Sequence, residues 1–133
     1  MIHDFVTKSH TLKLFDKAVS AGKDLLVEGL WDSPKAILAS IAKQASGKNI
    51  FIVTGRAKEK NLLFEDFSLF HEGEVYDFPA WETLPTENVP PSPDIVGERY
   101  TILRALLESK EQNIIISNVQ ACLQRLITPE AFL

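Results

Sequence analysis

Apolar residues recur along this chain in two alternating periods. Between Thr11 and Ala21, Leu12, Leu14, Phe15, Ala18 and Val19 approximate the i, i+3, i+4, i+7 stripe of a surface helix, which Gly22 stops. Asp24 to Leu30, built on the run Leu25-Leu26-Val27, predicts a short buried strand, and Pro34 to Ala45 a helix ending near Gly47. Asn49 to Val53 predicts a second strand of nearly unbroken apolar character. Leu62, Leu63, Phe67 and Phe70 then place a helix over Ala57 to Phe70, followed by a short extended piece at Glu74-Val75-Tyr76.

The alternation breaks between Pro79 and Pro93. Pro79, Pro85, Pro90, Pro91 and Pro93 surround Trp81 there, and neither a helix nor a central strand can run through so many missing N–H donors. A helix resumes from Asp94 or Ile95 to Ser109 and leads into Asn113-Ile114-Ile115-Ile116, the most strand-like run of the sequence, with a turn or helix from Ser117-Asn118 through Val119 to Leu126. Strands separated by helices imply an α/β fold with a parallel sheet covered on both faces. Thr128-Pro129-Glu130 carries the signal of a helix start with only Ala131-Phe132-Leu133 left to occupy it, so a continuation beyond Leu133 is expected.

Composition narrows the function classes. The 133 residues are 45% hydrophobic and 24% charged, an ordinary globular balance that suits one domain. Fourteen basic residues against eighteen acidic ones leave a net charge of −4, and no stretch concentrates Lys and Arg alone, which argues against tight autonomous DNA binding. Cys122 is the single cysteine, so an internal disulfide is excluded and no metal-ligand spacing exists; it reads as a small core residue on a helix. His3, His10 and His71 are scattered and read as surface or packing residues, with no zinc site. No nucleophile elbow of the form G-x-S-x-G is present. The absence of a secretion signal and of an apolar run of about eighteen residues points to a cytoplasmic chain with no membrane partner.

One octapeptide carries candidate chemistry. Gly29-Leu30-Trp31-Asp32-Ser33-Pro34-Lys35-Ala36 stands where a phosphate-binding G-x-x-x-x-G-K-[ST] loop would follow a strand, with the first glycine and the lysine kept. Pro34 replaces the second glycine and removes an N–H, and Ala36 offers no oxygen to Mg²⁺. The octapeptide reads as a vestigial nucleotide site, in which Gly29, Pro34, Lys35 and Ala36 bind no cofactor and catalyse nothing, although Lys35 at a helix N-terminus remains able to attract an anion. Ser33-Pro34 is equally what an ordinary helix start looks like, Ser as N-cap and Pro at the first helical position.

Phe78-Pro79-Ala80-Trp81-Glu82-Thr83-Leu84-Pro85, followed by Pro93-Asp94-Ile95 and Glu98-Arg99, resembles the N-terminal module of the bacterial transcription-repair coupling factor, itself similar to the damage-binding subunit of the nucleotide excision nuclease. Ile114-Ile115-Ile116, Asn118-Val119, Leu123-Gln124-Arg125-Leu126 and Pro129-Glu130 match in the same order, and the resemblance covers about residues 24 to 132. Only Thr86 to Ser92, which contain no aromatic residue, stand where the nuclease subunit carries a tyrosine-rich hairpin, which favours the coupling factor.

The resemblance implies an incomplete RecA-like domain with a degenerate P-loop over 24–117 and the truncated start of an inserted domain over 118–133 that binds the damage-recognition subunit of excision repair; the helix read from periodicity within 1–23 is expected to pack on the first of these. It further implies a non-catalytic scaffold that helps bring excision repair to stalled RNA polymerase. ATP and Mg, and the contacts to DNA and RNA polymerase, would belong to a downstream motor and downstream domains. The alternative is an ATP-dependent helicase-like or excision-nuclease-type DNA repair ATPase with a usable P-loop. Within the signature loop, Trp81 is expected to cap the C-terminal edge of the sheet or to face a partner. Glu82 and Arg99 are expected to pair, or Glu98 and Arg99 to form a solvated helix start; Pro85 and Asp94 complete the loop.

Overall fold

A computed structural model describes residues 2–71, 73–84 and 86–132; Pro85 of the signature loop lies outside the described residues. The chain forms α1 (Ile2–Lys8), α2 (His10–Ser20), α3 (Pro34–Ser46), β1 (Ile50–Thr54), α4 (Ala57–Phe70), β2 (Val75–Asp77), α5 (Pro93–Glu108), β3 (Ile114–Asn118) and a single turn α6 (Val119–Cys122), before a 3₁₀ turn at Pro129–Phe132. The three strands are parallel in the order β1-β3-β2, with Ile50, Phe51 and Ile52 opposite Ile114, Ile115 and Ile116, and Val75 also opposite Ile114. Central β3 is buried along its whole length, in keeping with the three consecutive isoleucines on which it opens.

Side chains alternate across the sheet, so β3 feeds two cores. Ile114 and Ile116 pack with Ala36 of α3 and Leu63 and Phe67 of α4 on one face. Ile115 packs with Phe78, Ile102 of α5 and Ala121 of α6 on the other. Helices therefore cover both faces, as the alternation of strands and helices requires.

Near the N-terminus one expectation holds and one fails. The helix expected over Thr11 to Ala21 forms as α2, preceded by α1, and Ser9, extended at φ −113°, caps α2 by accepting the Leu12 N–H at 3.4 Å. The strand expected over Asp24 to Leu30 does not form. The segment is irregular, bounded by left-handed Gly22 and Gly29 at φ 68° and 71°, and Leu26 is 86% exposed. A parallel strand needs a neighbouring ladder, and none of the described strands runs beside this segment. Downstream, the expected turn or helix after Asn118 shortens to the single turn of α6, which Asn118 caps by accepting the Ala121 N–H at 2.9 Å.

Candidate functional site

The degenerate loop leads directly into α3. Asp32 adopts φ 55°, a left-handed conformation that non-glycine residues rarely accept, and turns the chain into the helix. The Lys35 and Ala36 N–H groups, which would face a phosphate in a working loop, donate instead to Asp32 O and Ser33 O at 3.1 Å each. Ser33 does not cap α3 with its side chain; its hydroxyl donates to Asp66 Oδ1 at 3.1 Å, tying the loop to α4. Ala36, where a working loop carries the metal-binding hydroxyl, is completely buried in the α3–α4 core.

The cleft beside this loop, about 200 Å³, is lined by Lys35 together with Asp32, Glu59, Glu65 and Asp66. Four carboxylates around one ammonium make a field that repels phosphate, which counters the anion affinity expected of Lys35. Among the described residues no group of three or more His, Cys, Asp or Glu is placed to hold a metal ion.

The signature loop is the better organised region. Phe78 continues from β2, donating its N–H to Ile116 O at 2.8 Å and accepting from the Ser117 hydroxyl at 3.2 Å. The chain then leaves the sheet, and Trp81 is anchored through its backbone: its N–H donates to Gln124 Oε1 at 2.7 Å, and its carbonyl accepts from Gln124 Nε2 and Gln120 Nε2, both at 3.2 Å. The half-buried indole lies beyond the end of β2 and against Arg99.

Arg99 is only 4% exposed, so the solvated helix start expected for it is wrong; α5 begins at Pro93, which places Arg99 in its second turn. Its Nη1 donates to Pro79 O at 2.7 Å and to Gln124 Oε1 at 3.1 Å, and its Cζ lies 4.5 Å from the Phe78 ring centroid and 5.1 Å from that of Trp81. The expected Glu82–Arg99 pair is absent. Glu82 accepts the Ser92 N–H at 2.6 Å, closing the proline-rich loop on itself. Burial lowers the Arg99 pKa, partly opposed by the neighbouring Cys122.

The remaining expectations fall on both sides. Asp94 in the first turn of α5 and Glu98 one turn later are exposed. Cys122 is exposed and not a core residue, because α6 turns Ala121 inward instead. His71 packs edge-on against Phe67 at 5.6 Å, with its Nδ1 3.0 Å from the Ser40 hydroxyl, while His10 is exposed and the side chain of His3 lies outside the described residues. The residues missed by sequence reading are Gln120 and Gln124. Their i, i+4 spacing within the helix expected through Leu126 was the available signal, although α6 ends at Cys122 and leaves Gln124 beyond it.

Over 130 residues, 96% of the chain, the sequence is 25% identical to the transcription-repair-coupling factor of Bacillus subtilis (strain 168). Over 116 residues, 86% of the chain, it is 29% identical to the transcription-repair-coupling factor of Escherichia coli (strain K12). The chain spans about a tenth of the length of these curated relatives, 11% and 10% respectively. No protein-family model matches the chain, and no solved structure matches it significantly. The chain is thus distantly related to one segment of the coupling factors, and among the described residues no helix is long and apolar enough to cross a membrane.

Proposed function

We propose that this chain acts as an N-terminal segment of a transcription-repair coupling factor, an incomplete RecA-like scaffold without catalysis of its own that helps bring excision repair to stalled RNA polymerase. The observation that carries this reading is similarity to two coupling factors along nearly the whole chain. The acidic cleft at the degenerate loop, whose Lys35 and Ala36 N–H groups are already engaged, supports the absence of an ATPase here. The whole protein would be an ATP-dependent DNA translocase whose motor, Mg²⁺ site and contacts to DNA and RNA polymerase lie outside these residues.

On this reading the segment after Asn118 leads toward a surface for the damage-recognition subunit, with the Trp81–Gln124 lock fixing its direction of exit. The test is a pull-down of that subunit with the 133-residue chain and with a longer version carrying about a hundred further residues of the gene. The longer version should bind and the short chain should bind weakly or not at all. Equal capture by both would move the contact into residues 1–133, and capture by neither would remove the recruitment role.

A further inference from the structure

Arg99 is a buried cation that meets no carboxylate among the described residues. Its Nη1 is satisfied by two neutral oxygens, and its two aromatic neighbours are also uncharged, while Nη2 is buried with no acceptor among the described residues. Taking a guanidinium out of water is unfavourable unless charge and hydrogen bonds compensate, and an unused donor adds to that cost.

Arg99 also forms one wall of a cleft of about 60 Å³ between α5 and the segment 125–127. Val96 and Leu103, one turn on either side of Arg99 along the same stripe of α5, give it apolar sides; Trp81 and Ile127 close it, and exposed Arg125 stands at its edge. A space of this size admits a carboxylate and a methylene or two and excludes a nucleotide, whose pockets begin at about 300 Å³. Among the described residues no acidic side chain lines it.

We propose that this cleft is a receptor for a carboxylate on a short aliphatic stem, held by Arg99 with Arg125 guiding it in. The ligand chemistry is that of a glutamate or aspartate side chain or of a free short-chain carboxylate. The planar fork of a guanidinium held against two rings suits the two oxygens of a carboxylate. Because Nη2 is buried, engagement takes a rotamer change among the cleft side chains, the ordinary scale of adjustment on binding.

Trp81 makes the proposal measurable. In a Trp31→Phe background it is the single tryptophan, within 5.1 Å of the Arg99 Cζ. Sodium propionate, titrated against sodium chloride at constant ionic strength, should change Trp81 emission saturably with an apparent Kd on the order of 1–10 mM, as suits a ligand of a few heavy atoms. A capped Ala-Glu-Ala peptide forms the second arm: tighter binding than propionate assigns the site to a protein side chain, and equal or weaker binding to a free carboxylate. Val96→Phe, which fills the cleft and leaves Arg99 in place, should weaken binding at least about tenfold, as should Arg99→Lys. Absence of a saturable change with both probes, or a change that survives Val96→Phe, overturns the proposal.

Discussion

Gln124 holds Trp81 by both of its backbone polar groups: its carbonyl oxygen accepts the Trp81 N–H at 2.7 Å and its amide nitrogen donates to the Trp81 carbonyl at 3.2 Å. The same oxygen accepts from Arg99 Nη1, so one side chain joins the proline-rich loop, α5 and the segment after β3. A loop with so few N–H donors cannot be ordered by a ladder of its own, and side chains supply the bonds instead.

Gln124→Ala should therefore cost about 1–3 kcal/mol, because a backbone N–H and part of a buried guanidinium lose their acceptor together. Gln124→Glu keeps that acceptor and gives Arg99 a counter-charge, while Gln120 still serves the Trp81 carbonyl. Urea unfolding should place the Glu variant above the Ala variant by about 1 kcal/mol or more. A Glu variant as unstable as the Ala variant would show that Arg99 does not sense charge at this position.

At the degenerate loop, restoring sequence should not restore function. Ala36→Thr forces a larger, polar side chain into a site with no exposed surface, between α3 and α4. It should lower stability by about 1–3 kcal/mol without conferring Mg-ATP binding, even when combined with Pro34→Gly. Calorimetry with Mg-ATP checks both halves; saturable binding at micromolar nucleotide that vanishes in Lys35→Ala would refute the vestigial reading.

The sequence is legible where periodicity alone decides the outcome. The isoleucines of β3 and the apolar stripes of α4 and α5 declare their elements because each buries a face against another element. Leu25-Leu26-Val27 has the composition of a strand and lacks a ladder partner among the described strands, information that no local pattern contains. At the site, Trp81 and Arg99 stand out in the sequence, but their relationship does not. Reading adjacent charges suggests Glu82 for Arg99, whereas the acceptors are a backbone carbonyl and a glutamine 25 positions away. Neutral partners of a buried cation leave no charge pattern in a sequence.

Lys60 offers a contrast with Arg99, since it is buried and its ammonium donates to Asp77 at the end of β2. The Asp77 side chain is 31% exposed, so water moderates the pair. Asp77→Asn should destabilise by about 2 kcal/mol by leaving the lysine without its counter-charge, and Lys60→Met by less, because an apolar side chain tolerates the same burial. A double-mutant cycle should return a coupling of about 1 kcal/mol or more; additive effects would mean that the pair contributes nothing beyond its separate side chains.

The segment that failed to become a strand supplies a sharp contrast in the cost of a buried charge. Leu26 is 86% exposed, whereas Ile116 at the centre of β3 is fully buried between Leu63, Phe67 and the neighbouring strands. Leu26→Asp should change stability by no more than about 0.5 kcal/mol, the range of surface substitutions. Ile116→Asp should unfold the domain, because it removes a core side chain and places an unpaired carboxylate in its space. Circular dichroism with urea titration compares the two directly. If Leu26→Asp were as damaging as Ile116→Asp, Asp24 to Leu30 would have to lie within the buried sheet, and the cleft around Lys35 would then need to be rebuilt with a strand leading into its loop.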